Sequence, residues 1–167
     1  VGYGDSKRLG WEHRWDSQVM ALQTWNSVRA LDYLLKLPGA DSKRVGVTGA
    51  SGGGTQSFLI SALDDRITLS APCVMVSCHF FGGCKCESGL PIHVRKSQVT
   101  NNAEIAALFA PKPQLLVSNG DDWTKHTATL EYPFLQKIYK LYGREGAVGN
   151  VHLPEEKHDY GKSKRTA

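Results

Sequence analysis

The sequence predicts an α/β fold, in which a parallel sheet of about four strands lies between flanking helices in three layers. Three observations carry this. Strand-like and helix-like segments alternate along the chain. Residues 67–77 (ITLSAPCVMVS) are a nearly unbroken apolar run, the pattern of a strand covered on both faces. The short β-rich stretch at 44–48 passes through a glycine cluster straight into a helix.

The elements follow in order. Residues 1–16 are glycine-rich, charged and without a sustained period, so they read as a surface loop. From Ser17 the apolar residues Leu22, Trp25, Val28, Leu31, Leu34 and Leu35 recur at helical spacing. Asp16 and Ser17 form a capping pair before them and Pro38 follows, which predicts a helix over 17–37. A strand at 44–48 leads through Gly49-Ala50-Ser51-Gly52-Gly53-Gly54 into a helix over about 53–63. After the apolar strand comes 78–100, a stretch with no clean period, read as a rim or lid loop. Then follow a helix (102–109), a strand (114–118), a loop (119–127), a helix (128–142) and a strand (150–153).

At 167 residues with 41% apolar content, the chain can bury a core and is read as a single domain over 1–167. No apolar run nears the roughly 20 residues of a membrane helix, so no membrane partner is expected. The net charge of +4 is scattered apart from Lys162 to Arg165, which argues against nucleic acid as a partner. Cys73, Cys78, Cys84 and Cys86 cluster within fourteen residues. Their spacing lacks the paired C-x2-C of structural zinc, so free thiols or a local disulfide are expected in preference to a metal site that includes His79.

Gly49-Ala50-Ser51-Gly52-Gly53 fits G-x-S-x-G where that pattern has mechanical meaning, directly after a strand and opening a helix. The turn is tight enough to strain the serine backbone, and glycines two residues to either side are expected to be sterically required. Ser51 would then stand above the carboxyl end of the sheet as a nucleophile, with the Gly52 N–H at the helix N-terminus aimed at an oxyanion. A phosphate loop would need a lysine that is missing. A serine needs a base and an acid to orient it. His158, in the loop after the last strand, is the expected base; His152, inside that strand, is expected to be structural. Asp121 and Asp122 follow the strand at 114–118, and only one of two adjacent side chains can face His158. Glu155, Glu156 and Asp159 read as a solvated loop edge.

The stretches VGVTGASGGGTQSF, VSCHFFGGCKCESG, NNAEIAALFAPKPQLLVSNGDDWTKHT and KHDYG together resemble bacterial acetylxylan-esterase-like α/β-hydrolases over most of residues 1–161. The resemblance implies that the acid is the Asp before the Trp, Asp122, and that the chain is a serine carboxylesterase of short-chain, acetyl-type esters on a small molecule or carbohydrate. It also implies a secreted or periplasmic location. Such chemistry calls for no metal or organic cofactor. A non-catalytic binding module and a serine peptidase are the competing expectations. His79 and Phe80 follow a strand end and are candidate substrate-wall residues, against the alternative of a packed loop. Trp123 is a candidate for a sugar-binding surface or for packing. The resembled fold carries about eight strands and only four are legible here, so the strand at 44–48 is expected to be an edge. The chain is then expected to be part of a larger hydrolase domain, lacking the source of a second oxyanion donor and with a final helix cut off after Lys162, or to form a homodimer through that edge.

Overall fold

In the computed structural model, residues 17–79, 94–95 and 98–167 are described. Four parallel strands form the sheet in the order β1 (Gly46–Ala50), β2 (Leu69–Cys73), β5 (Gln114–Asn119) and β6 (Val148–Leu153). Between β2 and β5, β3 (Val94–Arg95) and β4 (Gln98–Val99) make a small antiparallel ribbon within the stretch expected to be a rim loop. The helices are α1 (Ser17–Leu34), α2 (Gly52–Leu63), α3 (Asn102–Ala107), α4 (Glu131–Leu141) and α5 (Lys162–Arg165). The predicted α/β alternation and strand number are therefore found.

Parallel register aligns side chains across the sheet, so each face can be read off the pairing. Gly46 pairs with Leu69, Thr48 with Ala71 and Ala50 with Cys73; Cys73 pairs in turn with Val117. On the opposite face, Leu116 and Val148 join Phe58, Leu59, Leu135 and Tyr139 in the main core. The face bearing Thr48, Ala71, Cys73 and Val117 carries an open groove of about 340 Å³, rimmed by Tyr160 and α5. Among the described residues, β1 lies at one edge of this sheet.

Two elements depart from expectation. In α1, Met20 and Leu31 are buried, but Leu22, Trp25 and Leu34 are exposed. The helix lies over α2 and contributes Leu31 and Val28, with Leu35 just beyond its end, to a narrow cluster with Ile60, Ile67 and Phe109, so one stripe suffices. Its last turn tightens, Lys36 N–H donating to the Tyr33 carbonyl, and the helix ends at Leu34 rather than at 37. The apolar run 67–77 yields a strand only at Leu69–Cys73, because Val74 adopts φ 47 and turns the chain out of the ladder. Met75 and Val76 stay fully buried without being strand. Burial, not strand pairing, explains their apolarity.

Candidate active site

Of the connections that leave the carboxyl edge of the sheet, those after β1, β5 and β6 each deliver one of the predicted Ser, Asp and His side chains. The first joins β1 to α2. Ser51 has φ 57 and ψ −123, a left-handed backbone that a residue with a Cβ rarely adopts. Its N–H donates to the Cys73 carbonyl at 3.2 Å, and its carbonyl receives the Thr55 N–H at 3.0 Å. A Cβ on Gly49 would lie 2.7 Å from the Gly53 carbonyl oxygen, so Gly49 is needed as expected. The second steric requirement falls elsewhere than the sequence suggested. A Cβ on Gly53 would meet nothing within 4 Å, whereas one on Gly54 would lie 2.6 Å from the Cys73 carbonyl oxygen and 2.8 Å from the Met75 Cβ. Gly54 faces β2, and this is what lets α2 press against the sheet beneath the serine. The Gly52 N–H belongs to the first turn of α2, where amides have no carbonyl partner within the helix and the helix dipole favours negative charge.

The second turn follows β5. A side chain at Gly120 would run into the Pro154 carbonyl, so the chain passes close to the end of β6 there. Asp122 then closes a small side-chain turn: its Oδ1 accepts both the N–H and the hydroxyl of Thr124, each at 2.6 Å. Thr124 is buried and its Oγ1 accepts the Asn119 N–H, which ties the turn to the strand end. Asp121 is exposed.

The third turn follows β6 and carries His158. Its Nδ1 lies 2.6 Å from Asp122 Oδ2. The Asp122 side chain is 3% exposed and that of His158 30%, so the carboxylate is enclosed while the imidazole reaches solvent. A carboxylate at Nδ1 assigns the proton there and leaves Nε2 free to accept one. Burial works against the charge on Asp122, but hydrogen bonds from His158 and Thr124 outweigh it and hold its carboxyl below the usual range. Trp123 Nε1 donates to the Val74 carbonyl at 3.1 Å, and its ring lies 4.5 Å from the imidazole, tilted by 53°. The Trp123 ring thus packs beside His158, with its indole N–H held by the chain.

His152, by contrast, stands in β6 with Nδ1 2.9 Å from Ser118 Oγ, a strand-to-strand contact of the structural kind expected. His79 is exposed, with its ring centroid 6.5 Å from that of His126 and its N–H on Ser77 Oγ. Phe80, Cys84 and Cys86 lie outside the described residues. Cys73 and Cys78 are free thiols; burial raises the Cys73 pKa, and burial together with the Glu131 carboxylate raises that of Cys78 to about 11. Among the described residues, no three of His, Cys, Asp and Glu gather as metal ligands would.

The sequence reading missed the Thr124 hydroxyl, the strained Val74 and the side chain of Lys164. The D-W-T order signals the first, since Asp and Thr two apart favour such a turn. Nothing in the sequence marks the other two.

A family model described as "Glucuronyl esterase, fungi" matches residues 11–80. The chain is 29% identical over 150 residues to a 4-O-methyl-glucuronoyl methylesterase of Neurospora crassa, covering 73% of this chain and 38% of that protein. Among solved structures, methylesterase BT1017 is 51% identical with a TM-score of 0.83, over 89% of this chain and 33% of that one. A glucuronoyl esterase from Sporotrichum thermophile shares the fold at a TM-score of 0.69 and 23% identity, over 89% of this chain and 49% of that one. The chain thus spans between 28% and 38% of the length of the curated relatives it matches. The likeness is to glucuronoyl esterases and a methylesterase, not specifically to the acetylxylan esterases that the motifs resembled. Among the described residues, no helix is long and apolar enough to cross a membrane.

Proposed function

We propose that this chain carries the Ser51–His158–Asp122 machinery of a serine carboxylesterase whose substrate is an alkyl ester of a sugar acid. Ser51 Oγ attacks the ester carbonyl as His158 Nε2 takes its proton, and Asp122 holds the imidazole in the required tautomer and stabilises the imidazolium. The Gly52 N–H supplies one donor to the tetrahedral oxyanion. Collapse expels the alcohol with the proton from His158, and water, activated by the same base, releases the acid from Ser51.

The observation that carries this reading is the 2.6 Å bond between His158 Nδ1 and the enclosed Asp122 Oδ2, at the same sheet edge as the strained Ser51 turn. The sugar-acid substrate rests on the names of the relatives. In an acetylated sugar the carbohydrate is the alcohol, whereas in a glucuronoyl ester it is the acyl group, and the names support the second arrangement over the acetyl ester that the motifs suggested.

The test is a paired panel. Methyl glucuronate and its 4-O-methyl ether are compared with acetylated xylose, p-nitrophenyl acetate and a peptide, each with a Ser51→Ala control. The reading expects the methyl uronates to have the highest kcat/KM and Ser51→Ala to abolish their turnover. Preference for the acetylated sugar would overturn the sugar-acid assignment, and preference for the peptide the esterase assignment. Turnover that survives in Ser51→Ala would overturn the nucleophile.

A further inference from the structure

The loop that carries His158 is anchored on both sides, and the anchor is a lysine from the basic tail. Lys164 lies in α5, and its side chain is 0% exposed. Its Nζ donates to the Lys157 carbonyl at 2.7 Å and to Asp159 Oδ1 at 2.9 Å, with Glu156 Oε2 at 3.7 Å. Lys157 and Asp159 are the residues immediately before and after His158. Asp159 Oδ1 also accepts the Gly161 N–H at 2.8 Å, which closes the loop onto the start of α5. One residue further, the Tyr160 hydroxyl lies 3.0 Å from Thr48 Oγ1, on the strand that leads to Ser51. Thr48 gives its own proton to the Ala71 carbonyl at 2.8 Å, so Tyr160 is the donor there.

A buried ammonium is costly unless its donors are used. Here two are spent on the neighbours of the proposed base, while the acidic partners remain at the surface: Asp159 is 53% and Glu156 40% exposed. The contacts clamp a short loop through one backbone carbonyl and one carboxylate rather than fill a core. A loop with no regular structure has little else to fix an imidazole within hydrogen-bond reach of Asp122.

We propose that Lys164 is a positioning residue: through the Lys157 carbonyl and Asp159 it fixes the loop that presents His158 to Asp122, with Tyr160 on Thr48 registering that loop against the nucleophile strand. Lys164 acts through the Lys157 carbonyl and Asp159 rather than on Ser51, His158 or Asp122 directly. The proposal deepens the serine-esterase reading and rests on it for its effect on turnover.

The experiment compares Lys164→Met, Asp159→Ala and Asp159→Asn, the last of which keeps an oxygen for Lys164. Two readouts are taken: kcat and KM on methyl glucuronate, and the low-field proton resonance of the His158 Nδ1–H, assigned by its loss in His158→Ala. Lys164→Met and Asp159→Ala are expected to lower kcat on the order of 10- to 100-fold, the scale of a misplaced catalytic group, with KM within about twofold. Both are expected to lose or broaden the resonance, and Asp159→Asn to keep it with kcat within about threefold of the parent. Parental kcat and an intact resonance in Lys164→Met and Asp159→Ala would overturn the proposal. If Lys164→Met does not fold, the exposed Asp159→Ala decides by the same readouts. If the parent protein turns over no ester, the esterase reading fails, and the resonance alone decides whether Lys164 holds the His158–Asp122 bond.

Discussion

Gly53→Ala and Gly54→Ala, one position apart in the same glycine run, are expected to move stability in opposite directions. At Gly53 the new methyl meets no atom within 4 Å. The residue lies in the first turn of α2, where alanine costs less backbone entropy than glycine, a gain of about 0.5 kcal/mol. At Gly54 the methyl would lie 2.6 Å from the Cys73 carbonyl oxygen and 2.8 Å from Met75 Cβ. Neither atom can swing away, because one is strand backbone and the other begins a side chain that is 0% exposed. The helix must shift off the sheet, an overpacking cost of about 2–3 kcal/mol at the upper end of the usual range. For a chain of this size, each kcal/mol moves Tm by roughly 2–4 °C. Gly53→Ala should therefore melt about 1–2 °C above the parent and Gly54→Ala about 4–12 °C below it. The Cys73 carbonyl also accepts the Ser51 N–H, so Gly54→Ala should displace the serine turn and lower esterase activity as well. Differential scanning calorimetry of the three proteins in one buffer decides it. If Gly53→Ala is destabilised as much as Gly54→Ala, the close approach has been assigned to the wrong glycine.

Asp122→Asn keeps the shape but reverses the hydrogen-bond preference at His158 Nδ1, and should lower kcat on the order of 10³- to 10⁴-fold with the protein still folded; a loss below tenfold in steady-state assays would remove Asp122 from the mechanism. His152→Phe breaks only the strand-to-strand contact with Ser118, so it should cost about 1 kcal/mol in urea unfolding and leave kcat/KM within about twofold; a large kinetic loss would favour His152 as the base. Acid should destabilise the fold in a defined direction. The Arg66 guanidinium holds the Asp64 carboxyl below its ordinary range, and Asp122 is lowered too, because hydrogen bonds from His158 and Thr124 outweigh its burial. Folded-state values below the unfolded ones mean that the unfolded chain binds more protons. The stabilisation is complete above the ordinary aspartate value of about 3.9 and is lost as pH falls through the folded-state values. Urea midpoints should thus drop below about pH 4, and a midpoint constant down to pH 2.5 would contradict the assignment.

The sequence was most readable where covalent geometry leaves few choices. Glycines on either side of a serine between a strand and a helix admit few backbones, and the Ser51 turn follows from them. The order of β2, β5 and β6 was legible from apolar runs punctuated by turn residues. The choice between Asp121 and Asp122 was not legible from the residues themselves, since neighbours on a loop differ only in the direction the backbone gives them. The family resemblance picked Asp122, and the structure encloses that residue against His158. The G-x-S-x-G spacing placed the second required glycine at Gly53, but the helix turns Gly54 toward β2. The end of β2 was hidden because Met75 and Val76 are as apolar as strand residues and equally buried. Lys164 was the least visible. A lysine in a basic tail reads as solvated, and only the fold brings its ammonium under the His158 loop.

The central claim is that His158 and Asp122 activate Ser51, and covalent capture addresses it most directly. Incubated with diisopropyl fluorophosphate, the protein should gain a single phosphoryl adduct by intact-mass spectrometry, mapped to Ser51. The labelling rate should fall by orders of magnitude in His158→Ala and the adduct should be absent in Ser51→Ala. An unlabelled parent protein, or a rate that His158→Ala leaves unchanged, would contradict the account.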